Sequence, residues 1–230
     1  MGSKLECQKS QTTCQELKNT LEQPKLKYLL AGKMGIFPIR YLFINNYINN
    51  INSIKSNPDY SFGNESRLTG YNLKDIIRVI YKSVGTVAEK PADILFISRN
   101  RNVSVKTRFG YIKGDYIFYS VMNILQKQHP EIKTHLYISD DKYDKYMYLN
   151  LLDFPRSIYN TIKVLMSWSF NMRSILEELH ASSSHYSIKN TTNFFRFRIL
   201  MRYNLMSFSV KNMLNILKPR LIIANDDCLY

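Results

Sequence analysis

Between Ile97 and Tyr116 the chain reads ISRNRNVSVKTRFGYIKGDY. Five of these side chains are cationic (Arg99, Arg101, Lys106, Arg108 and Lys113), and Asp115 is the one acid among them. Cations gathered with Gly110 and Gly114 suit a phosphate: the charges neutralise it, and glycine lets backbone N–H groups come close. The pattern predicts a loop that leads into a helix starting near Gly114 and Asp115. The unpaired N–H groups and positive dipole end of that helix would then join the anion site. Gly110-x-x-x-Gly114 is neither G-x-G-x-x-G nor a P-loop, so it supports neither a dinucleotide site nor a nucleoside triphosphatase, and no cofactor is expected. The bland alternative is a solvated surface loop in a basic protein, with Asp115 simply capping the helix.

Other chemistry-bearing residues are sparser. Asp140, Asp141 and Asp144 could hold a divalent cation beside a diphosphate, or form a charged loop balanced by Lys142 and Lys145. Asp226 and Asp227 follow an apolar run and would face the ligand side of a sheet. The histidines 129, 135, 180 and 185 lack metal-ligand spacing, and no metal is expected. Neither G-x-S-x-G nor a Cys/His constellation occurs, so no catalytic residue is assigned.

These residues need elements to position them. Ile94-Leu95-Phe96-Ile97 is too short for a helix and rich in strand formers. After the basic stretch, Ile117, Val121, Ile124 and Leu125 share one helical face, and His129-Pro130 stops that helix. Thr134–Ile138 reads as a second strand. Strand, helix and strand in ~45 residues make a βαβ unit with parallel strands. Residues 142–218 read as mostly helical. Ile199, Tyr203, Met206, Val210, Met213, Leu214 and Leu217 form one continuous stripe. Lys218-Pro219 ends the last helix, and Arg220–Asn225 reads as a third strand. The expected class is α/β: a Rossmann-like, doubly wound parallel sheet over residues 91–230. Only Asp226–Tyr230 follow the third strand, so the sheet is expected to be incomplete at its C-terminus.

Residues 1–90 read differently, as a mainly helical N-terminal extension. Helical spacing covers 15–30 and 36–55, a turn-rich loop spans 57–72, and Asn-Leu-Lys-Asp opens a helix at 72–84. EKPAD at 89–93 is the expected boundary.

Composition bounds the partners. The 230 residues carry 32 Lys and Arg against 18 Asp and Glu, a formal charge of +14, which favours an anionic partner. Hydrophobic residues make up 45%, enough for a sizeable core. Three cysteines without C-x-x-C spacing and a polar N-terminal segment fit a reducing cytoplasm. Phe194, Phe195, Phe197 and Leu200 beside Arg196, Arg198 and Arg202 fit either an anionic membrane surface or a core helix with a basic outer face. Aromatic residues are not interleaved with the charges as in RNA-reading motifs, which counts against nucleic acid.

The order DILFISRNR, glycine-bearing loop, helix, strand, helices and ILKPRLIIANDD resembles the N-terminal half of a two-domain B-type glycosyltransferase, over residues 92–230. In that family a helix ending in Leu-Lys-Pro commonly runs into an apolar strand near the interdomain cleft. The resemblance implies an acceptor-side domain acting in glycan or surface-polysaccharide synthesis at the inner face of a membrane. It implies that Arg108, Gly110, Lys113, Gly114 and Asp115, with Arg99 and Arg101, border the cleft and meet a lipid-phosphate acceptor or the diphosphate of a nucleotide sugar. Asp226 and Asp227 would face that cleft. It also implies that catalysis requires a donor-binding domain or a partner chain. The competing expectation is a non-enzymatic basic module for nucleic acid or an anionic membrane.

Overall fold

The computed structural model describes residues 14–56, 91–98, 102–107, 110–115, 118–138, 146–182 and 184–224. The loop expected at 57–72, the helix expected at 72–84 and the first two residues of the EKPAD boundary, Glu89 and Lys90, lie outside them. Contacts divide the chain into two units: Met1–Tyr71 with Leu152–Ser207, and Asn72–Leu151 with Phe208–Tyr230.

The first unit is helical. Its N-terminal part holds α1 (residues 14–21), α2 (Pro24–Leu30) and α3 (Ile39–Ser56). The helical spacing at 15–30 is thus two helices. The break falls at Glu22 and Gln23, and Pro24 restarts the chain at N1, where its missing N–H costs nothing. A hairpin of β1 (Lys33–Met34) and β2 (Phe37–Pro38) joins α2 to α3. Gly35 takes φ +62° in its turn, while Ile36 does not share the positive φ, which is the pattern of a type II′ turn. The C-terminal part brings α5 (Asp153–Ser182), α6 (His185–Phe194) and the start of α7 (Phe197–Leu217).

These helices share one apolar core. Leu26, Leu30, Leu42 and Phe43 from the N-terminal part meet Trp168, Ile175, Leu179 and Phe194 from the C-terminal part. Trp168 stacks on Phe195 with ring centres 4.3 Å apart. Polar links run through the same interior. The hydroxyls of Tyr47 and Ser187 lie 2.9 Å apart, the Asn50 amide donates to Asn190, and Asn204 Nδ2 donates to Thr161 Oγ1 at 2.8 Å. Burial pushes the Tyr47 phenol above its ordinary pKa. Each link offsets the cost of burying polar groups; the first two fix which side chains of α3 and α6 face each other, and the third does so for α5 and α7.

The second unit is built on a sheet of three parallel strands, β3 (Ile94–Ser98), β6 (Thr134–Ile138) and β7 (Leu221–Ala224), in the order β6-β3-β7. The three strands expected from the sequence all form, and the chain is of mixed α/β class. Helix α4 (Phe118–Gln128) lies between β3 and β6 in the chain. Successive residues of β3 point to opposite faces. Leu95 packs with Tyr137, Met213 and Leu217, while Phe96 meets Phe118 of α4 at 5.1 Å. The central strand is therefore covered on both faces.

The apolar face expected on α4 is corrected. Val121 and Ile124 are exposed, and Phe118 is the residue of this helix that is buried. The stripe on α7 is also divided. Tyr203 belongs to the core of the helical unit, with Ile199 and Met206 packed against that core, and Met213 and Leu217 belong to that of the sheet unit. Lys218, with φ +44°, turns the chain out of α7 before Pro219.

Asp93 ties the amino ends of the three strands. Its N–H donates to the Lys133 carbonyl at 2.8 Å, and its own carbonyl accepts from the N–H groups of Arg220 and Leu221 at 3.0 and 3.1 Å. Its carboxylate accepts from the Lys133 N–H at 3.0 Å. Replacing Asp93 with Ala removes the carboxylate link and a 3.9 Å ion pair with the exposed Arg220 guanidinium but leaves the backbone bonds, so we expect a loss of about 1 kcal/mol in urea denaturation. Asp93→Asn, which keeps an acceptor oxygen, should lose less. Equal losses would mean that the charge rather than the hydrogen bond matters.

Candidate functional site

The three strands end level. Ser98, the last residue of β3, is in register with Ile138, the last of β6, and Ile97 is in register with Ala224, the last of β7. The first strand in the chain lies in the middle, the next joins one side and the last joins the other. The direction of winding therefore reverses at β3. In open parallel sheets, ligands bind beyond the carboxyl ends of the strands at such a reversal. Ser98 marks this place with a buried hydroxyl. The sequence reading gave Ser98 no role: it closes the run ADILFIS, which reads as a buried strand, and nothing in its neighbours singles out the hydroxyl.

The stretch after β3 differs from expectation. Asn102–Thr107 forms β4 and Gly110–Asp115 forms β5, paired antiparallel as a two-stranded ribbon. Gly110 pairs with Thr107, Lys113 with Ser104, Gly114 with Val103 and Asp115 with Asn102. The expected loop is thus a ribbon over these residues, and α4 starts at Phe118 rather than near Gly114 and Asp115. Asp115 closes a strand and does not cap the helix. The physical reason is the ladder itself, which satisfies backbone groups at 110–115 that an N-terminal helical turn would have left open. The helix dipole is consequently removed from the case for a phosphate at Gly114.

The ribbon begins four residues after Ser98, so Gly110, Lys113, Gly114 and Asp115 belong to one excursion from the carboxyl end of β3. Arg99, Arg101 and Arg108 lie outside the described residues, as do Asp140, Asp141 and Asp144 after β6. Asp226 and Asp227, which follow β7 in the chain, also lie outside them. Among the described residues, no group of three His, Cys, Asp or Glu side chains is placed to hold a metal ion.

No protein-family model, curated protein or solved structure matches this chain. Its own residues must therefore carry the functional argument.

Two further features bear on the candidates. His135 Nε2 and the Tyr148 hydroxyl lie 3.2 Å apart, and Asn212 Nδ2 donates to the Tyr148 carbonyl at 2.8 Å. His135 thus has a bonded place in the sheet unit, which suits a structural role. The aromatic cluster considered for a membrane contact at the start of α7 is mostly internal. Phe194, Phe195 and Leu200 are buried, and only Phe197 is exposed. No described helix is long and apolar enough to cross a membrane.

Proposed function

We propose that the sheet unit is Rossmann-like and binds a phosphorylated ligand beyond the carboxyl ends of β3 and β7, as the acceptor-side domain of a glycosyltransferase-like protein. The observation that carries this reading is the strand order β6-β3-β7 with parallel pairing, which places the winding reversal at β3. Arg99 and Arg101 directly follow that strand in the chain. Two guanidinium groups suit a diphosphate or a lipid phosphate because each can donate two parallel hydrogen bonds. Asp226 and Asp227, following β7, would face the hydroxyl-bearing part of such a ligand. Sugar transfer itself would require a donor-binding domain or a partner chain.

Calorimetry with a nucleotide sugar, and separately with a short polyprenyl phosphate, tests the reading. We expect saturable binding to at least one of them. Replacing both Arg99 and Arg101 with Ala should weaken it by about 10- to 100-fold, the loss of one charged hydrogen-bonding group or more. Unchanged affinity in the double variant would remove the site. Binding to any polyanion, with a steep salt dependence and no preference for these ligands, would favour a nucleic-acid module instead.

A further inference from the structure

Helix α5 buries one side and leaves an apolar stripe on the other. Ser157, Thr161, Trp168, Ile175 and Leu179 are buried. Relative to Trp168, the residues at offsets −9, −6, −2 and +2 fall on the far side of a helix that turns about 100° per residue. Those residues are Tyr159, Ile162, Met166 and Phe170, and all four are exposed, Phe170 at 83%. Single exposed apolar residues need no explanation, but four in one row along a helix do.

The charges beside the stripe have one sign. Arg156 and Lys163 are exposed next to it, and between the buried Asp153 and Glu177 the helix carries no acid. Isoleucine, methionine and two aromatic rings flanked by cations form the pattern of a helix lying in a membrane interface, its apolar row among the headgroups and its cations at the phosphates. A single convex row offers no groove for a peptide, and it matches the charge of an acidic bilayer in a chain of net charge +14.

We propose that this face of α5 seats the protein on an anionic lipid bilayer, with Tyr159, Ile162, Met166 and Phe170 entering the headgroup region and Arg156 and Lys163 meeting lipid phosphates. The proposal concerns the helical unit and is independent of the phosphate ligand assigned to the sheet unit.

Vesicle co-sedimentation of the full chain tests it, using phosphatidylcholine vesicles with and without a quarter of phosphatidylglycerol. Binding is expected with the anionic vesicles and to be weak with phosphatidylcholine alone. Met166→Ser with Phe170→Ser should lower the partition coefficient about tenfold or more. Lys163→Glu should lower it by a salt-sensitive factor. All three positions are exposed, so the variants should keep the far-UV circular dichroism of the parent. Val121→Ser with Ile124→Ser, an exposed pair on α4, should leave binding unchanged. The proposal is overturned if the chain ignores anionic vesicles, if the α5 variants bind as the parent does, or if the α4 pair weakens binding equally. A parent that dimerises through this face without binding vesicles would also overturn it and assign the face to a second copy.

Discussion

Replacing Gly35 with alanine should cost the protein about 3 kcal/mol or more of stability, as two separate penalties fall on one position. The turn between β1 and β2 holds Gly35 at φ +62°, where a side chain costs about 1–2 kcal/mol. A Cβ there would also lie 2.1 Å from the Ser207 hydroxyl oxygen and 2.7 Å from the Ser207 Cβ. Ser207 cannot simply yield. It belongs to α7, is fully buried, and accepts a 2.7 Å hydrogen bond from the Ile36 N–H. Moving it breaks that bond, worth about 1 kcal/mol, and forces a packed helix to shift. A loss of this size is a large share of the ~5–15 kcal/mol that holds a typical domain together. Urea denaturation of Gly35→Ala, Ser207→Gly and the pair separates the terms. Relief of the clash should make the double variant more stable than the sum of the single losses predicts, leaving mainly the dihedral cost. Additive losses would mean that the turn swings clear of α7.

Phe194→Ala should be comparably damaging, at about 3–5 kcal/mol. Phe194 is fully buried, and three aromatic rings surround it. Phe43 and Phe195 meet it edge-on at 5.2 and 5.0 Å, and Tyr203 lies at 6.0 Å. Removing the ring leaves a cavity among large, rigid neighbours, which collapse poorly into the space. Phe170→Ala, on the exposed side of α5, should instead stay within about 0.5 kcal/mol of the parent. The chain's single tryptophan gives a direct readout, because Trp168 is buried against Phe195 in the same core. Its fluorescence should report the weakened transition of Phe194→Ala at lower urea. A transition that does not move would mean that this cluster is not part of the cooperative core.

The sheet was readable because its strands are short apolar runs with breakers nearby. ILFIS, THLYI and LIIA stand out by composition, and parallel pairing follows from the elements between them. The β4–β5 ribbon was hidden by its own charge. Val103 and Val105 alternate with polar residues as a strand should, but Lys106, Arg108 and Lys113 made the stretch look like a solvated loop. Its connection, Arg108-Phe109, also lacks the Asn-Gly or Asp-Gly signal of a tight turn. The partner of the long helix α5 was equally hidden. Periodicity shows that Trp168, Ile175 and Leu179 share a face, yet it carries no record of what that face meets. That they meet Leu30 and Phe43, more than a hundred residues earlier, is a tertiary fact. For the candidate site, the sequence located the basic excursion and its position after β3, but the helix expected to begin at its end lies further on.

The division of the chain has a consequence for how the protein is made. Leu26, Leu30, Leu42 and Phe43 leave the ribosome more than a hundred residues before the residues that cover them, from Trp168 to Phe194. Translation proceeds at roughly 5–20 residues per second, so the wait is on the order of ten seconds. The intervening sheet unit gives no earlier relief, because β7 is synthesised later still. Through that interval these helices lack the partners with which they share a core, which makes the nascent chain a natural client for a chaperone that holds short leucine-rich segments until α5 and α6 arrive.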